Sequence, residues 1–115
     1  MPTAQFRIGC DLVSITRFQQ RMVENEMDFL ERIFWPDERH GQTPERLAGM
    51  FAAKEAACKA LSLSPGHWLD LCVEHEPSGA PRIVLLDVDP AVAEIHVSIA
   101  HDGDYALAFV MVGLR

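Results

Sequence analysis

Residues 47–61 read LAGMFAAKEAACKAL, and the interpretation of the whole chain depends on this stretch. Its composition and apolar spacing predict a long helix, which we expect to begin at Pro44 behind a cap at Thr43. In a helix, Glu55 and Lys59 are four residues apart and therefore share one face. Taken alone, this pair also fits an ordinary surface ion pair, so its meaning depends on what the rest of the chain places beside it.

The same helix is predicted to have two different faces. Ala48 and Ala52 continue the stripe of Glu55 and Lys59 toward the N-terminus, and we expect these small side chains to leave room for a ligand beside the charges. The other side carries apolar residues at spacings of three, four and seven, typical of a face that packs on a core. These residues are Leu47, Met50, Phe51, Ala57, Cys58 and Leu61.

The composition limits the possible classes of function. The chain has 115 residues, 49% hydrophobic and 23% charged, which predicts a single domain over residues 1–115 with a small core. The formal net charge of −7 argues against sequence-independent nucleic-acid binding as the main function, since that needs a basic surface. Three widely spaced cysteines predict reduced thiols rather than a disulfide framework or a zinc site. We expect no signal sequence and no membrane span, and therefore a cytoplasmic protein.

The first apolar run, FRIGCDLVSI at residues 6–15, predicts a strand that leads into a helix from about Ser14. Strand alternation separates two faces, with Phe6, Ile8 and Cys10 on one and Arg7, Gly9 and Asp11 on the other. Gly9 allows another backbone or a ligand to approach closely. Asp11 either caps the following helix or meets a cation, because a carboxylate buried without a partner is costly.

The next segment, residues 16–25, has helical composition and places Arg17 and Arg21 one turn apart. This small basic ridge is either a solvated face or a docking surface for an acidic partner. A second, shorter helix is predicted over residues 28–34, where Pro36 stops it.

The pattern after the long helix changes from helices to strands. Residues 68–75 and 81–86 are predicted to pair as a hairpin. Residues 96–101 and 105–112 are predicted to pair around the turn residues Asp-Gly-Asp at 102–104. A first strand, a block of helices and a block of C-terminal hairpins together predict an α+β fold.

Three stretches carry a family resemblance, in this order: IGCDLVSITRF, LAGMFAAKEAACKAL and HVSIAHDGDYALAFV. They resemble the signature regions of the holo-acyl-carrier-protein synthase family of 4'-phosphopantetheinyl transferases over nearly the whole chain. The resemblance implies that family's fold and its reaction, in which the phosphopantetheine arm of coenzyme A is moved to a serine of an apo acyl carrier protein. It also implies a homotrimer with active sites between subunits, serving fatty acid or polyketide biosynthesis.

The motif positions imply a catalytic set of Asp11, Glu55 and Lys59. Asp11 and Glu55 would bind a divalent cation, Mg2+ or Mn2+, since hard carboxylate oxygens suit both. The carrier serine would attack the β-phosphate of coenzyme A, and a carboxylate or a metal-bound water would take its proton. Lys59 would stabilise or protonate the leaving phosphate.

The resemblance assigns further residues to ligands. Lys59, Lys54 and His101 are candidate contacts to coenzyme A. Lys54 could instead form a structural ion pair, and His101 could instead bond to the backbone at the end of a hairpin. Arg17 matches the family's carrier-docking arginine, and Arg21 extends that ridge toward an acidic carrier helix.

Two of the chain's departures from the family pattern concern charged positions. Ser14 stands where the family commonly has Glu, which removes a carboxylate from the neighbourhood of the metal. Met50 stands where the family commonly has Arg, which removes a cation near the coenzyme A phosphates. These changes leave open a catalytically weakened carrier-binding or coenzyme A-binding module of the same fold. A plain α+β interaction domain is the other alternative, because the long helix also fits an ordinary amphipathic helix.

Overall fold

The computed structural model describes residues 5–115, and the side chains of all of these except residues 25–27. Residues 1–4 of the predicted domain lie outside the described residues. The described elements are, in chain order, β1 (Gln5–Ser14), α1 (Ile15–Ile33), α2 (Pro36–Arg39), α3 (Pro44–Ala60), a 3-10 turn (Trp68–Asp70), β2 (Leu71–His75), β3 (Pro81–Leu85), β4 (Val92–Asp102) and β5 (Tyr105–Leu114).

The strands form two antiparallel sheets. β1, β5 and β4 make a three-stranded sheet in that order, and β2 and β3 pair as a separate hairpin. The predicted α+β fold is confirmed, and both predicted hairpins form. The first hairpin strand was predicted to begin at residue 68, but Asp70 N donates to the carbonyl of His67, so this part of the chain turns before it extends.

α1 is one continuous helix of 19 residues, whereas the sequence predicted two helices with a break between them. No glycine or proline occurs within it to stop the first helix. Phe18 and Phe29, one from each predicted helix, are both buried and pack edge to face with ring centroids 5.3 Å apart. Ser14 Oγ accepts from Arg17 N at the N-terminus, as the predicted start near Ser14 requires.

α3 packs on the three-stranded sheet through small residues. All six alanines of α3 are fully or almost fully buried: Ala48, Ala52, Ala53, Ala56, Ala57 and Ala60. Gly9 of β1 lies so close that a Cβ atom at this position would overlap the carbonyl oxygen of Ala56. The expectation that Ala48 and Ala52 leave room for a ligand is therefore wrong, because their small side chains let the sheet approach the helix.

The opposite side of the three-stranded sheet is unusually apolar. Gly9 and Asp11 face α3 as the alternation predicted, while the even-numbered residues of β1 point away from the helix. Large apolar side chains of β1 and its neighbour β5 are exposed there: Phe6, Ile8, Leu12, Tyr105, Leu107 and Phe109. We call these six residues the outer sheet face. An exposed apolar patch on adjacent strands is typical of an interaction surface.

The three cysteines of the chain, Cys10, Cys58 and Cys72, are free thiols. Burial raises the pKa of the Cys58 thiol to about 11, so this thiol is protonated and unreactive at neutral pH. Across residues 5–115, no helix has the length and the apolar composition needed to cross a bilayer.

Candidate active site

Asp11 from β1 and Lys59 from the last turn of α3 form an ion pair. Lys59 Nζ donates to Asp11 Oδ1 at 3.2 Å and to the backbone carbonyl of Cys10 at 2.9 Å. The Lys59 side chain is 57% exposed, whereas that of Asp11 is only 19% exposed. A pair with one partner this exposed contributes at most about 1 kcal/mol to stability. The cation is therefore available to a ligand that approaches from solvent.

Glu55 lies one helical turn before Lys59 and is half-buried. Burial raises the pKa of the Glu55 carboxyl above its usual value, and repulsion from the Asp11 carboxylate raises it further. The Trp68 indole and Lys59 oppose this shift. Two carboxylates that repel each other across a helix–strand contact form a site at which a cation would be stabilised.

The donor set of this site fits a cation that needs few protein ligands. Among residues 5–115, no group of three or more His, Cys, Asp and Glu side chains is arranged to hold a metal ion. Asp11 and Glu55 would therefore supply two oxygen ligands only. Mg2+ is commonly bound by one or two carboxylates together with substrate phosphates and water, so the two residues fit it when a phosphate ligand is also present.

Trp68 is a residue near this site that the sequence reasoning did not single out. Its Nε1 atom is buried and has no hydrogen-bond partner among the described residues. The indole ring packs on Phe51 with centroids 5.7 Å apart, and Phe51 precedes Glu55 by one turn. The indole thus approaches the Glu55 carboxyl without a well-formed hydrogen bond. The sequence did contain one signal for this residue. A tryptophan follows closely after the predicted helix, and a buried indole N–H needs an acceptor.

Lys54 is internal and does not reach a ligand site. Its side chain is 0% exposed, and its Nζ donates to Glu38 Oε1 at 2.7 Å. It also donates to three backbone carbonyls, those of Ile33, Trp68 and Leu71, at 2.7, 3.0 and 3.1 Å. Burial lowers the pKa of Lys54, while the Glu38 carboxylate opposes that shift. The prediction that Lys54 contacts coenzyme A is therefore wrong, and its alternative, a structural ion pair, is what the structure shows.

Glu38 completes this internal ion pair. Besides Lys54, its Oε1 accepts from Trp35 N at 2.8 Å and its Oε2 accepts from Val73 N at 2.7 Å. The pair thereby joins α2, α3 and β2 behind the site. From the sequence, Glu38 was only an acidic residue in a first helical turn, because its partners are distant in the chain.

His101 lies at the other end of α3, beside the first turns of the helix. Its Nε2 donates to the Glu45 carbonyl at 3.0 Å, as in the backbone-bonded alternative. It also lines a cavity of about 340 Å³ together with Arg46, Met50, His75 and others. Ten residues separate Gly49, which His101 touches, from Lys59, so the two regions lie about 15 Å apart along the helix axis.

Arg17 and Arg21 are both exposed on α1. The Arg21 guanidinium lies over the Phe29 ring, 4.8 Å from its centroid, which restricts where this charge points. Arg17 lines a groove of about 600 Å³ that also includes Leu12 and Tyr105. The basic ridge therefore borders the outer sheet face.

The two departures from the family pattern have structural roles here. Ser14 caps α1 and its Oγ donates to Asp104 Oδ2 at 2.8 Å, so this side chain ties the helix to the β4–β5 turn. Met50 is 2% exposed and belongs to the hydrophobic core. Neither side chain contributes a charge to the site.

The chain is similar to a group of known proteins. A family model described as the 4'-phosphopantetheinyl transferase superfamily matches residues 7–110. The holo-[acyl-carrier-protein] synthase of Kocuria rhizophila is 42% identical over 90% of this chain and 88% of that protein. The synthase of that name from Helicobacter acinonychis is 36% identical over 91% and 98% of the two chains.

Solved structures of similar proteins share the fold. The Helicobacter pylori holo-[acyl-carrier-protein] synthase in complex with coenzyme A superposes with a TM-score of 0.85 at 35% identity, covering 91% of this chain and 98% of that one. A synthase from Bacillus anthracis in complex with coenzyme A (3',5'-ADP) has a TM-score of 0.82 at 28% identity, covering 98% and 100%.

Proposed function

Because the chain belongs to the 4'-phosphopantetheinyl transferase superfamily, we infer that it is an enzyme that transfers the 4'-phosphopantetheine arm of coenzyme A to a serine of apo acyl carrier protein. The products are the holo carrier and adenosine 3',5'-bisphosphate. The observation that supports this best is the meeting of Asp11, Glu55 and Lys59, the charged residues of two distant motifs, at one contact between β1 and α3.

Asp11 and Glu55 are the proposed ligands of a divalent cation, Mg2+ or Mn2+. Burial raises the pKa of Glu55, and repulsion from the Asp11 carboxylate raises it further; a cation between the two carboxylates would relieve that repulsion. When bound, the cation supplies neutralisation of the charge that develops on the phosphates. Because only two protein side chains would bind the cation, its remaining coordination positions are left to phosphate oxygens and water.

Lys59 is the proposed charge partner of the leaving group. Its exposed ammonium group can turn from the Cys10 carbonyl toward a phosphate with the loss of one modest hydrogen bond. The serine oxygen of the carrier forms a bond to the β-phosphorus of coenzyme A, and the bond from this phosphorus to the bridging oxygen breaks. Lys59 balances the charge left on the bisphosphate. A carboxylate of the Asp11–Glu55 pair takes the serine proton.

The cavity beside His101 is proposed to hold the nucleotide end of coenzyme A. An elongated substrate can reach both this cavity and Lys59, which lie about 15 Å apart along α3. Arg46, one turn before Met50, lines the cavity. The loss of a cation at position 50 therefore leaves a neighbouring cation for an anionic group.

The outer sheet face is the proposed contact between subunits of a homotrimer. Six large apolar side chains on two adjacent strands are exposed there, and burial between copies would remove them from water. The groove of Arg17 adjoins this face, which agrees with a carrier-docking surface formed by Arg17 and Arg21 near a subunit contact.

Free thiols agree with a reducing compartment, and we place the enzyme in the cytoplasm.

The function is tested by incubating the protein with coenzyme A, Mg2+ and apo acyl carrier protein and weighing the carrier by mass spectrometry. The carrier should gain the mass of the arm, and a carrier with its acceptor serine replaced by alanine should not. The Glu55→Ala variant should fold normally but lose activity by about 100-fold or more, whereas Glu31→Ala, on exposed α1 surface, should not. No mass gain with either fatty acid or polyketide carriers, together with intact coenzyme A binding, would instead support the binding-module alternative.

A further inference from the structure

The Trp68 indole is held in place from two directions. Its ring packs on Phe51 with centroids 5.7 Å apart. Its backbone carbonyl accepts from the buried Lys54 Nζ at 3.0 Å, and that ammonium group is itself fixed by Glu38. The indole therefore cannot easily turn away from the surface of α3 that it covers.

The N–H of this indole is nevertheless unsatisfied. Among the described residues, Trp68 Nε1 has no acceptor although the atom is buried. Leaving a buried donor unpaired is unfavourable, because the group loses its hydrogen bond to water without gaining another. The other tryptophan of the chain does not share this property, since Trp35 Nε1 donates to the Leu69 carbonyl at 3.1 Å.

The Glu55 carboxyl lies on the side of α3 that the indole ring covers. Phe51 and Glu55 are four residues apart on α3 and lie on one face, so an indole packed on Phe51 lies beside Glu55. The hydrogen bond from Lys54 Nζ to the Trp68 carbonyl holds this residue over the same turn of α3, since Lys54 immediately precedes Glu55. A carboxylate on this face can accept from the unpaired indole N–H.

We propose that Trp68 is a positioning residue whose indole N–H holds one oxygen of the Glu55 carboxylate and directs the other toward the cation. Lys54 acts one step further away by fixing the Trp68 carbonyl. The proposal rests on the proposed function, since it requires that Glu55 binds a divalent cation. Donors that orient a metal-binding carboxylate typically change metal affinity by about 10- to 100-fold when removed.

Binding of Mn2+ in the presence of saturating coenzyme A tests this, with free Mn2+ measured by electron paramagnetic resonance. Trp68→Phe keeps the ring that packs on Phe51 but removes the N–H, and it should weaken Mn2+ binding about tenfold. Trp35→Phe is the matched control and should change the affinity by less than about twofold. Equal affinities for the two variants would overturn the proposal.

A second measurement leaves Trp68 intact, so it is independent of how the Trp68→Phe variant folds. In Trp35→Phe protein the only tryptophan is Trp68, and its fluorescence should change saturably when Mg2+ is added with coenzyme A. The change should be lost when Glu55→Gln is added to the same protein. An emission that does not respond to Mg2+ while Mn2+ still binds would also overturn the proposal.

An incorrect metal site and an incorrect role for Trp68 would give different results. If the wild-type protein with coenzyme A binds no Mn2+, the metal site is wrong and this proposal falls with it. If the wild-type protein binds Mn2+ and Glu55→Gln does not, the metal site is supported. In that case unchanged binding by Trp68→Phe would reject the role of Trp68 alone.

Discussion

Lys54 Nζ lies 2.7 Å from Glu38 Oε1, and the two side chains are 0% and 2% exposed. The remaining donors of Lys54 point to backbone carbonyls, and Glu38 accepts from backbone N–H groups on two sides. An ion pair buried this completely does not itself guarantee stability, because desolvation offsets the attraction. Removing only one of the two charged groups, however, leaves the other charge buried without a partner.

Lys54→Met should therefore destabilise the protein by about 3–5 kcal/mol, because the Glu38 carboxylate stays buried without its cation. The measurement is urea unfolding followed by circular dichroism. Lys59→Met, which breaks the exposed pair with Asp11, is the matched control and should cost at most about 1 kcal/mol. Adding Glu38→Gln to Lys54→Met should recover part of the loss, and similar costs for both lysine variants would contradict the internal role of Lys54.

Gly9→Ala should destabilise the protein by about 3 kcal/mol or more, since the added Cβ would overlap backbone atoms of Ala56 that cannot move independently of α3. Thermal and urea unfolding give the size of the effect. Gly113→Ala in β5 is the control, because its Cβ would meet the flexible Glu94 side chain at 2.8 Å. Comparable losses in the two variants would show that the close contact of β1 with α3 is not what requires Gly9.

Asp104→Asn should lower stability in a way that depends on pH. The Asp104 carboxylate accepts from Ser14 Oγ, Thr16 Oγ1 and Thr16 N, and these bonds lower the pKa of Asp104 in the folded state. A lowered folded-state pKa means that the stabilisation is complete above the unfolded value of 3.8 and is lost as the pH falls through the lower, folded-state value. The difference in free energy of unfolding between wild type and variant should be constant near neutral pH and shrink in acid. A difference that grew in acid would contradict this assignment.

Arg17→Glu should weaken binding of acyl carrier protein by about tenfold or more while leaving coenzyme A binding unchanged, because it reverses a charge at the proposed docking ridge. Isothermal titration calorimetry with each ligand separates the two effects. Arg82→Glu makes the same charge change on the β2–β3 hairpin, where Arg82 pairs with Glu74 in solvent, and should have little effect. An equal loss of carrier and coenzyme A binding by Arg17→Glu would argue against a docking role.

Phe109→Glu should dissociate the proposed trimer, since it places a charge in the centre of the outer sheet face, opposite Cys10 of β1. Light scattering coupled to size-exclusion chromatography measures the mass. Val88→Glu is the control, because Val88 is also highly exposed but lies in the loop between β3 and β4. A wild-type protein that is monomeric at all concentrations would reject the trimer, and a trimeric Phe109→Glu protein would place its interface elsewhere.

Local signals in the sequence accounted for most of the elements. Thr43 and Pro44 begin α3, Ser14 caps α1, and the turn residues at 102–104 join β4 to β5. These features act over a few residues, so the sequence contains all the atoms that produce them. The break predicted inside α1 does not form, because Phe18 and Phe29, on either side of it, both pack into the core from one helix.

The candidate site was only partly accessible from the sequence. Motif resemblance named Asp11, Glu55 and Lys59, and the structure brings Asp11 and Lys59 within hydrogen-bonding distance with Glu55 beside them. The motif resemblance did not reveal Trp68, whose relation to Glu55 depends on the path of the loop after α3.

By itself, the sequence determined most of the helices and strands, the alternation of β1 and the identity of the charged motif residues, because each depends on neighbours in the chain. Only the tertiary structure decided which charges are buried and which reach solvent. Lys54 and Lys59 are five residues apart on the same helix and chemically identical, yet Lys54 is enclosed by Glu38 and carbonyls from three distant segments and Lys59 is exposed. That difference arises from contacts between residues far apart in sequence, which no local pattern contains.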